Sequence, residues 1–371
     1  MVTKAKAPEP AVVHVRTSER KHFHRCILRW KWTILDGLVT KSPSHALWFG
    51  SGIHEALAHY YAPGLKRNKD FVEVWEDWCD NGSGDGMYQK VEDLGDKFIE
   101  SRELGIAMLR GHEQQWGEYD AKLDFIQSEM PFQVMIPLDD GTMIEYDGTF
   151  DGVFIDKNDR NKIKLLENKT AKAIQVKHLS LDPQAGAYWA IAYTILRKRG
   201  VLKPNQNIAG IMYNFLRKSM PDGKLRNKDG YAVNKPTKAQ YVAQLMKNKG
   251  DEFRLSRLKI DDLAKVAEER GIEVYGDISK VQPSPLFLRE FVKRTPRERT
   301  SEIQGIKDDA LHMNAVRDGI LPVTKNPTND CSWDCSFFEM CELKQQQADW
   351  EQFRDSVYVV SDPYADHRKV A

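Results

Sequence analysis

YDGTFDGVFIDKNDRNKIKLLENKT, Tyr146–Thr170, reads as a β-hairpin that brings two carboxylates and an ammonium together. Thr149–Asp156 and Lys162–Thr170 are rich in β-branched and aromatic residues, and the five residues between them, Lys157–Asn161, are polar turn formers. Pairing Asp156 with Lys162 across that loop, with no bulge, sets Asp151 opposite Glu167. Side chains alternate along a strand, so Glu167 and Lys169 share a face while Asn168 turns away and leaves its backbone carbonyl available. Hard divalent cations take oxygen ligands, commonly one or two carboxylates with water and a substrate phosphate. A cation held by Asp151 and Glu167 polarises a phosphoryl oxygen and acidifies a bound water, and a nearby ammonium orients the nucleophile or offsets developing charge. An acid followed by E-x-K also occurs on plain exposed strand edges, so the reading depends on what flanks it.

Two flanking segments support it. FGSGIHEALAHYY, Phe49–Tyr61, has His54, Leu57, Ala58 and Tyr61 on one face at helical spacing, and Gly50 and Gly52 permit close backbone approach. An inward imidazole there is either a satisfied core histidine or a ligand for a transition metal or Mn²⁺. LDPQAGAYWAIAYTILRKRG, Leu181–Gly200, carries Asp182 at an N-cap, Pro183 at the first helical position and Gly200 after a basic last turn. Gln184 and Tyr188 lead its otherwise apolar stripe of Ile191 and Ile195.

In order, Gly50-x-Gly52-x-His54-Glu55-Ala56-Leu57, Gly148-x-x-Asp151, Glu167-x-Lys169-Thr170 and Gln184-x-x-x-Tyr188 resemble the motifs of the RecB-like branch of the PD-(D/E)XK nuclease superfamily. The resemblance spans roughly residues 45 to 200. It implies an α/β fold with a mixed β-sheet flanked by helices, and a Mg²⁺ or Mn²⁺ ion held by His54, Asp151, Glu167 and the main-chain carbonyl of Asn168. It makes Lys169 the catalytic lysine, with Gln184 and Tyr188 contacting DNA and helping to arrange the site.

The five cysteines extend the resemblance to both ends of the chain. Cys331, Cys335 and Cys341 in DCSWDCSFFEMC are close enough in sequence to converge on zinc or an iron-sulfur cluster, and a fourth ligand is then required. Some RecB-like nucleases, including the AddB nuclease domain and the CRISPR-associated exonucleases, hold a [4Fe-4S] cluster with one early and three late cysteines. The resemblance makes Cys26, in HFHRCILRW, the early one. Cys331 and Cys335 are separated by three residues where the usual family spacing is two, and zinc remains the competing assignment. Cys79 reads as a residue of an amphipathic helix.

The net charge of +1 argues neither for nor against nucleic acid, but the distribution is uneven. Asp70–Leu104 holds eleven acids and three bases; Phe215–Gly250 holds nine bases and two acids. The basic stretch, with Tyr231 and Tyr241 interleaved, suits a mobile loop or hairpin contacting backbone phosphates and stacking on bases, or a solvated loop. Ile27–Trp32 and Arg289–Arg299 are weaker phosphate-binding candidates.

Residues 1–18, with Pro8 and Pro10, predict a flexible N-terminal arm. Residues 19–371 predict a single elaborated nuclease domain: a helical region over 19–125 with a loop at Asn81–Gly86, a catalytic core over 126–216, a basic loop and accessory helices over 217–325 that include a charged helix at Asp251–Gly271, and a cysteine clasp and tail over 326–371. In the core the expected order is β-β-β-α-β, with strands near Ser128–Ile136, Thr142–Asp156, Lys162–Thr170 and Asn207–Leu216. An N-terminus without an apolar core and the lack of any apolar run of membrane-spanning length predict a soluble, cytoplasmic chain. There is no dinucleotide-binding fingerprint or P-loop, so any helicase or recombination partner is a separate protein. Together these features predict a metal-dependent DNA exonuclease acting at DNA ends, with a non-catalytic DNA-binding or scaffold protein of the same fold as the alternative.

Overall fold

The computed structural model of the chain describes residues 11–41, 45–64, 70–82, 96–247 and 252–363. Two compact units emerge from it, residues 1–218 with 287–371, and residues 219–286. The first is built on strands β1 (Val12–Arg16), β2 (Leu38–Thr40), β3 (Leu123–Pro137), β4 (Met143–Asp156), β5 (Lys162–Ala171), β6 (Ile208–Arg217), β7 (Phe287–Lys293) and β8 (Tyr358–Val360). Six of them form a mixed sheet in the order β1-β4-β5-β6-β7, with β3 also paired to β4.

The expected hairpin is present, and its register runs from Asp156↔Lys162 to Gly152↔Leu166 without a bulge. β5 and β6 are parallel and joined by the helix Pro183–Lys198. Asp182 caps that helix, its carboxylate accepting the Gln184 and Ala185 amides, and Gly200 beyond its end takes a left-handed φ of 71° that suits glycine. Alternate residues of β5 and β6 feed opposite cores. Leu165 and Ile211 pack with the Pro183–Lys198 helix and the helix Pro296–Arg317, whereas Leu166 and Met212 pack with His45–Tyr60, Phe71–Asn81 and Asp96–Asp120. Helices on both faces explain why β6 is almost continuously apolar and why β5 is buried on both faces from Ile163 to Asn168. Gly52 lets the His45–Tyr60 helix approach its neighbour, since a Cβ there would fall 2.5 Å from the Trp78 ring.

Two strands of this sheet lay outside the sequence reading. Val12–Arg16 pairs in parallel with Met143–Asp147 and buries Val13 and Val15, so the arm expected over 1–18 becomes sheet from residue 12. The alternating VVHVR pattern accounts for this, because it supplies an apolar face that the sheet can cover. β7 pairs antiparallel to β6, and Arg289, a candidate for phosphate binding, lies there in a buried ion pair with Asp120. Trp30 and Trp32 are likewise core residues.

β2 and β8 form a separate two-stranded sheet over a core of Trp32, Leu38, Phe337, Met340 and Tyr358, which joins early and late segments of the chain. Residues 219–286 form a small unit of their own around Leu245, Leu255, Leu263 and Ala267. The charged helix expected at 251–271 is instead two helices, Glu252–Leu255 and Ile260–Glu269. In the basic stretch Tyr241 packs against that core, leaving Tyr231 exposed beside the bridge Arg226↔Ala232. Residues 83–95, with most of the expected Asn81–Gly86 loop, lie outside the described residues.

Candidate active site

β4 has β3 along one edge and two partners in succession along the other. β1 pairs as far as Asp147 and β5 begins at Gly152, so residues 148–151 have no strand partner on that edge. Asp151 sits in this fork. Its Oδ2 accepts the Asn168 main-chain N–H at 2.6 Å and lies 3.7 Å from His54 Nδ1. Glu167 is buried and accepts a 2.5 Å hydrogen bond from Lys169 Nζ. Asn168 turns to the other face, where Asn214 Nδ2 donates to its Oδ1 at 2.9 Å. On the helix after β5, Gln184 Nε2 donates to the Tyr188 hydroxyl at 3.3 Å, and Tyr188 lines one small cavity with Glu167. The Tyr188 ring also stands edge-on to Phe132 and Phe150.

One member was not read from the sequence. Glu129 in β3 lies across from Asp151, between the rungs Ser128↔Gly152 and Met130↔Phe150. Its φ of +44° is left-handed, a conformation costly for a non-glycine residue and found most often at functional sites. Its Oε1 is buried without a hydrogen-bond partner. Ligand atoms of His54, Glu129 and Asp151 all lie within 4.8 Å of one another, the only such group of three among the described residues. Nothing local marks Glu129 in the sequence, because both its φ and its partners arise from strand pairing.

The electrostatics are those of a cation site. Burial pushes the Asp151 carboxyl up to about 6, against the Asn168 amide and Lys169, which favour its charge. Burial likewise raises Glu167 to about 7, with Lys169 opposing and Asp151 adding to the rise. Burial, then Asp151, Glu55 and Glu167, lift Glu129 to about 9. Burial lowers His54 to about 4, so its imidazole is neutral and able to coordinate. Burial opposes the Lys169 charge, but Glu167 outweighs it and holds the ammonium above the ordinary lysine range.

A pH dependence follows. Carboxyls raised in the folded state stabilise the metal-free protein fully below their unfolded range, and this contribution is lost as pH climbs through about 6, 7 and 9. His54, lowered in the folded state, has the opposite effect, confined to pH below its unfolded value of 6.5. The melting temperature in EDTA is therefore expected to fall from pH 6 to pH 9, and stabilisation by Mn²⁺ to grow over the same range, since a cation favours ionised ligands. A metal-free melting temperature that is flat over that range, or no response to Mn²⁺, would contradict this account.

The sequence profile of the PD-(D/E)XK nuclease superfamily matches residues 17–342. The chain belongs to that superfamily, and the mixed sheet flanked by helices is the fold expected of it. Among solved structures, one from Eubacterium rectale, provisionally named an exonuclease, is similar over 87% of this chain and 93% of its own, with 9% identity and a TM-score of 0.40. The protein SSO0001 is similar over 71% of this chain and 78% of its own, with 13% identity and a TM-score of 0.23. No curated protein matches the chain. Among the described residues, no helix is long and apolar enough to cross a membrane.

Proposed function

We propose that this chain is a divalent-metal-dependent deoxyribonuclease of the RecB-like branch that hydrolyses phosphodiester bonds at DNA ends, in recombination or end processing. The observation that carries the reading is the fork at Asp151, where the ligand atoms of His54, Glu129 and Asp151 gather on one edge of β4, with the buried Glu167 and its partner Lys169 on the neighbouring strand. The donor set fits Mg²⁺ or Mn²⁺: His54, Asp151, Glu167 and the Asn168 carbonyl would hold the ion, with Glu129 in reach of the same place. A cation so held supplies Lewis acidity toward the phosphoryl group and toward water. In the metal-free site Glu167 holds the Lys169 ammonium above the ordinary lysine range, which suits it to donate hydrogen bonds to the phosphate and stabilise charge in the transition state. The Gln184–Tyr188 pair restricts the DNA side of the pocket and orients the strand. The products would carry 5′-phosphate and 3′-hydroxyl ends.

The test is degradation of linear and circular, single- and double-stranded DNA with Mg²⁺ or Mn²⁺. Wild-type protein should degrade linear DNA and leave circular DNA intact, and Asp151→Ala should degrade neither. Equal cleavage by wild type and Asp151→Ala would remove this site from consideration. Cleavage of circular DNA would limit the proposal to nuclease activity without end dependence.

The cysteines support a second element of the same reading. Cys26, Cys331, Cys335 and Cys341 line one cavity of about 270 Å³, and all are free thiols. Main-chain amides point at two of the sulfurs, Asn326 N–H at Cys26 Sγ (3.4 Å) and Thr328 N–H at Cys331 Sγ (3.3 Å). The Thr328 amide, with help from Arg25, lowers the Cys331 thiol, favouring the thiolate that a metal needs. The resemblance makes a [4Fe-4S] cluster the occupant of this cavity, with zinc as the competing assignment. An anaerobic preparation should be brown and carry iron and sulfide, and colourless protein with stoichiometric zinc would overturn the assignment. Cys79 is buried in the core, where burial raises its thiol to about 12, and has no part in this.

A further inference from the structure

Beyond Lys169 the two parallel strands end at the same level. Ala171 pairs with Arg217, and the Lys218 amide donates to the Ala171 carbonyl at 2.7 Å, so Lys172 and Lys218 leave the sheet side by side. This is the carboxyl end of a pair of parallel strands, where open α/β sheets bind their ligands. Lys218 is half-buried, and its ammonium lies 5.0 Å from the centre of the Phe49 ring and donates to the Ala46 carbonyl at 3.3 Å. Both contacts belong to the helix that carries His54, and Gly50 of that helix brings it against Thr170, with ordinary van der Waals contact from an added Cβ to Thr170 Oγ1. His45 at the start of the same helix feels Lys218, Lys97 and Lys172 together.

Among the described residues no carboxylate forms an ion pair with Lys97, Lys172 or Lys218, whereas Lys164, Lys169 and Arg289 are each paired with an acid. Burial and then Lys172 hold Lys218 below the ordinary lysine range, with no compensating acid. Half-burying an ammonium beside a second one is unfavourable unless an anion joins them. The field also reaches the catalytic fork, since both Lys169 and Lys218 act on His54.

We propose that Lys172 and Lys218 form a subsite for a backbone phosphate of the substrate strand, next to the phosphate that Lys169 addresses. The proposal rests on the nuclease reading and extends it to how the strand is held. Lys218, fixed against Phe49 and Ala46, is the preset member, and Lys172, exposed at the strand end, closes on the phosphate from the other side. Contacts to phosphate position a strand without reading its sequence, so the subsite should act alike on all sequences.

Affinity for a fluorescently labelled single-stranded oligonucleotide, measured by anisotropy in EDTA over a range of salt concentrations, tests this without cleavage. The variants are Lys172→Gln and Lys218→Met, the second keeping the apolar stem packed on Phe49. Lys157→Gln in the hairpin loop serves as a control for loss of one positive charge. Each subsite variant should bind more weakly for every sequence tried, and the slope of log affinity against log salt should fall by about 0.7 to 1. The control should keep the wild-type slope. Wild-type affinity and slope in Lys172→Gln would overturn the subsite alone, and this variant suffices should Lys218→Met fail to fold. A wild-type protein that binds no DNA would overturn the nuclease reading as well.

Discussion

Lys169→Ala is expected to slow DNA cleavage by about 10² to 10³-fold, the usual loss when one charged or hydrogen-bonding group aimed at the transition state is removed. The side chain is well placed for that role. It lies two residues from Glu167 on the same face of β5, 2.5 Å from its carboxylate, which holds the ammonium above the ordinary lysine range. A second effect should accompany the first. Lys169 is the main group opposing the rise of the Glu167 carboxyl, so without it Glu167 ionises at still higher pH. A ligand carboxyl must lose its proton before it binds metal, and the residual activity of Lys169→Ala should therefore need more Mn²⁺ and a more alkaline buffer than wild type. Lys169→Arg should recover little, because a planar guanidinium cannot stand in for a compact ammonium on so short a tether to Glu167. A cleavage rate within a few-fold of wild type for Lys169→Ala would remove this residue from the chemistry, and an unchanged pH profile would remove its hold on Glu167.

How far the sequence reveals this site depends on how local each part is. The hairpin register was legible because strand propensity, turn residues and a five-residue loop all lie within Tyr146–Thr170, and the loop length then determines which residues face one another. The helix after it was legible from Asp182, Pro183 and Gly200, each acting on its own end of the helix. The neighbourhood of His54, Asp151, Glu167 and Lys169 could be expected only by resemblance, since His54 lies nearly a hundred residues before Asp151. Glu129 was not legible at all. SEMPF reads as ordinary strand, and neither the left-handed backbone nor the unpartnered carboxylate oxygen leaves a local mark. The same holds for Val12–Arg16, whose alternating pattern announces a strand but not its parallel partner 131 residues away. Arg289 was misread for a related reason: it opens the basic run REFVKRTPRER, and the acid that buries with Arg289 lies 169 residues earlier in the chain.

That buried pair makes the largest stability prediction. Arg289 donates from Nη1 and Nη2 to the two oxygens of Asp120 at 2.6 and 2.9 Å, and from Nη2 to the Tyr61 hydroxyl at 2.8 Å. Its Nε donates to Asn214 Oδ1 at 3.1 Å, and Asn214 in turn donates to Asn168. One guanidinium thus joins the strand that presents Asn168, the end of the helix that carries His54, and the long helix Asp96–Asp120. Burial alone would discourage its charge, but Tyr61 and Asp120 hold it above the ordinary arginine range. Asp120 is fully buried, so taking the arginine away leaves a carboxylate with no solvent and no counter-charge. Arg289→Met and Asp120→Ala should each cost about 3 to 5 kcal/mol, read as a lower urea midpoint at unchanged m-value. The double variant Arg289→Met with Asp120→Leu should recover most of that loss, because a well-packed apolar replacement of a buried pair is often neutral. Single variants within about 1 kcal/mol of wild type would mean that water or rearranged neighbours reach Asp120, a result at odds with its burial. A double variant no better than the singles would place the loss in packing around Tyr61 and Asn214 rather than in the unpaired charge.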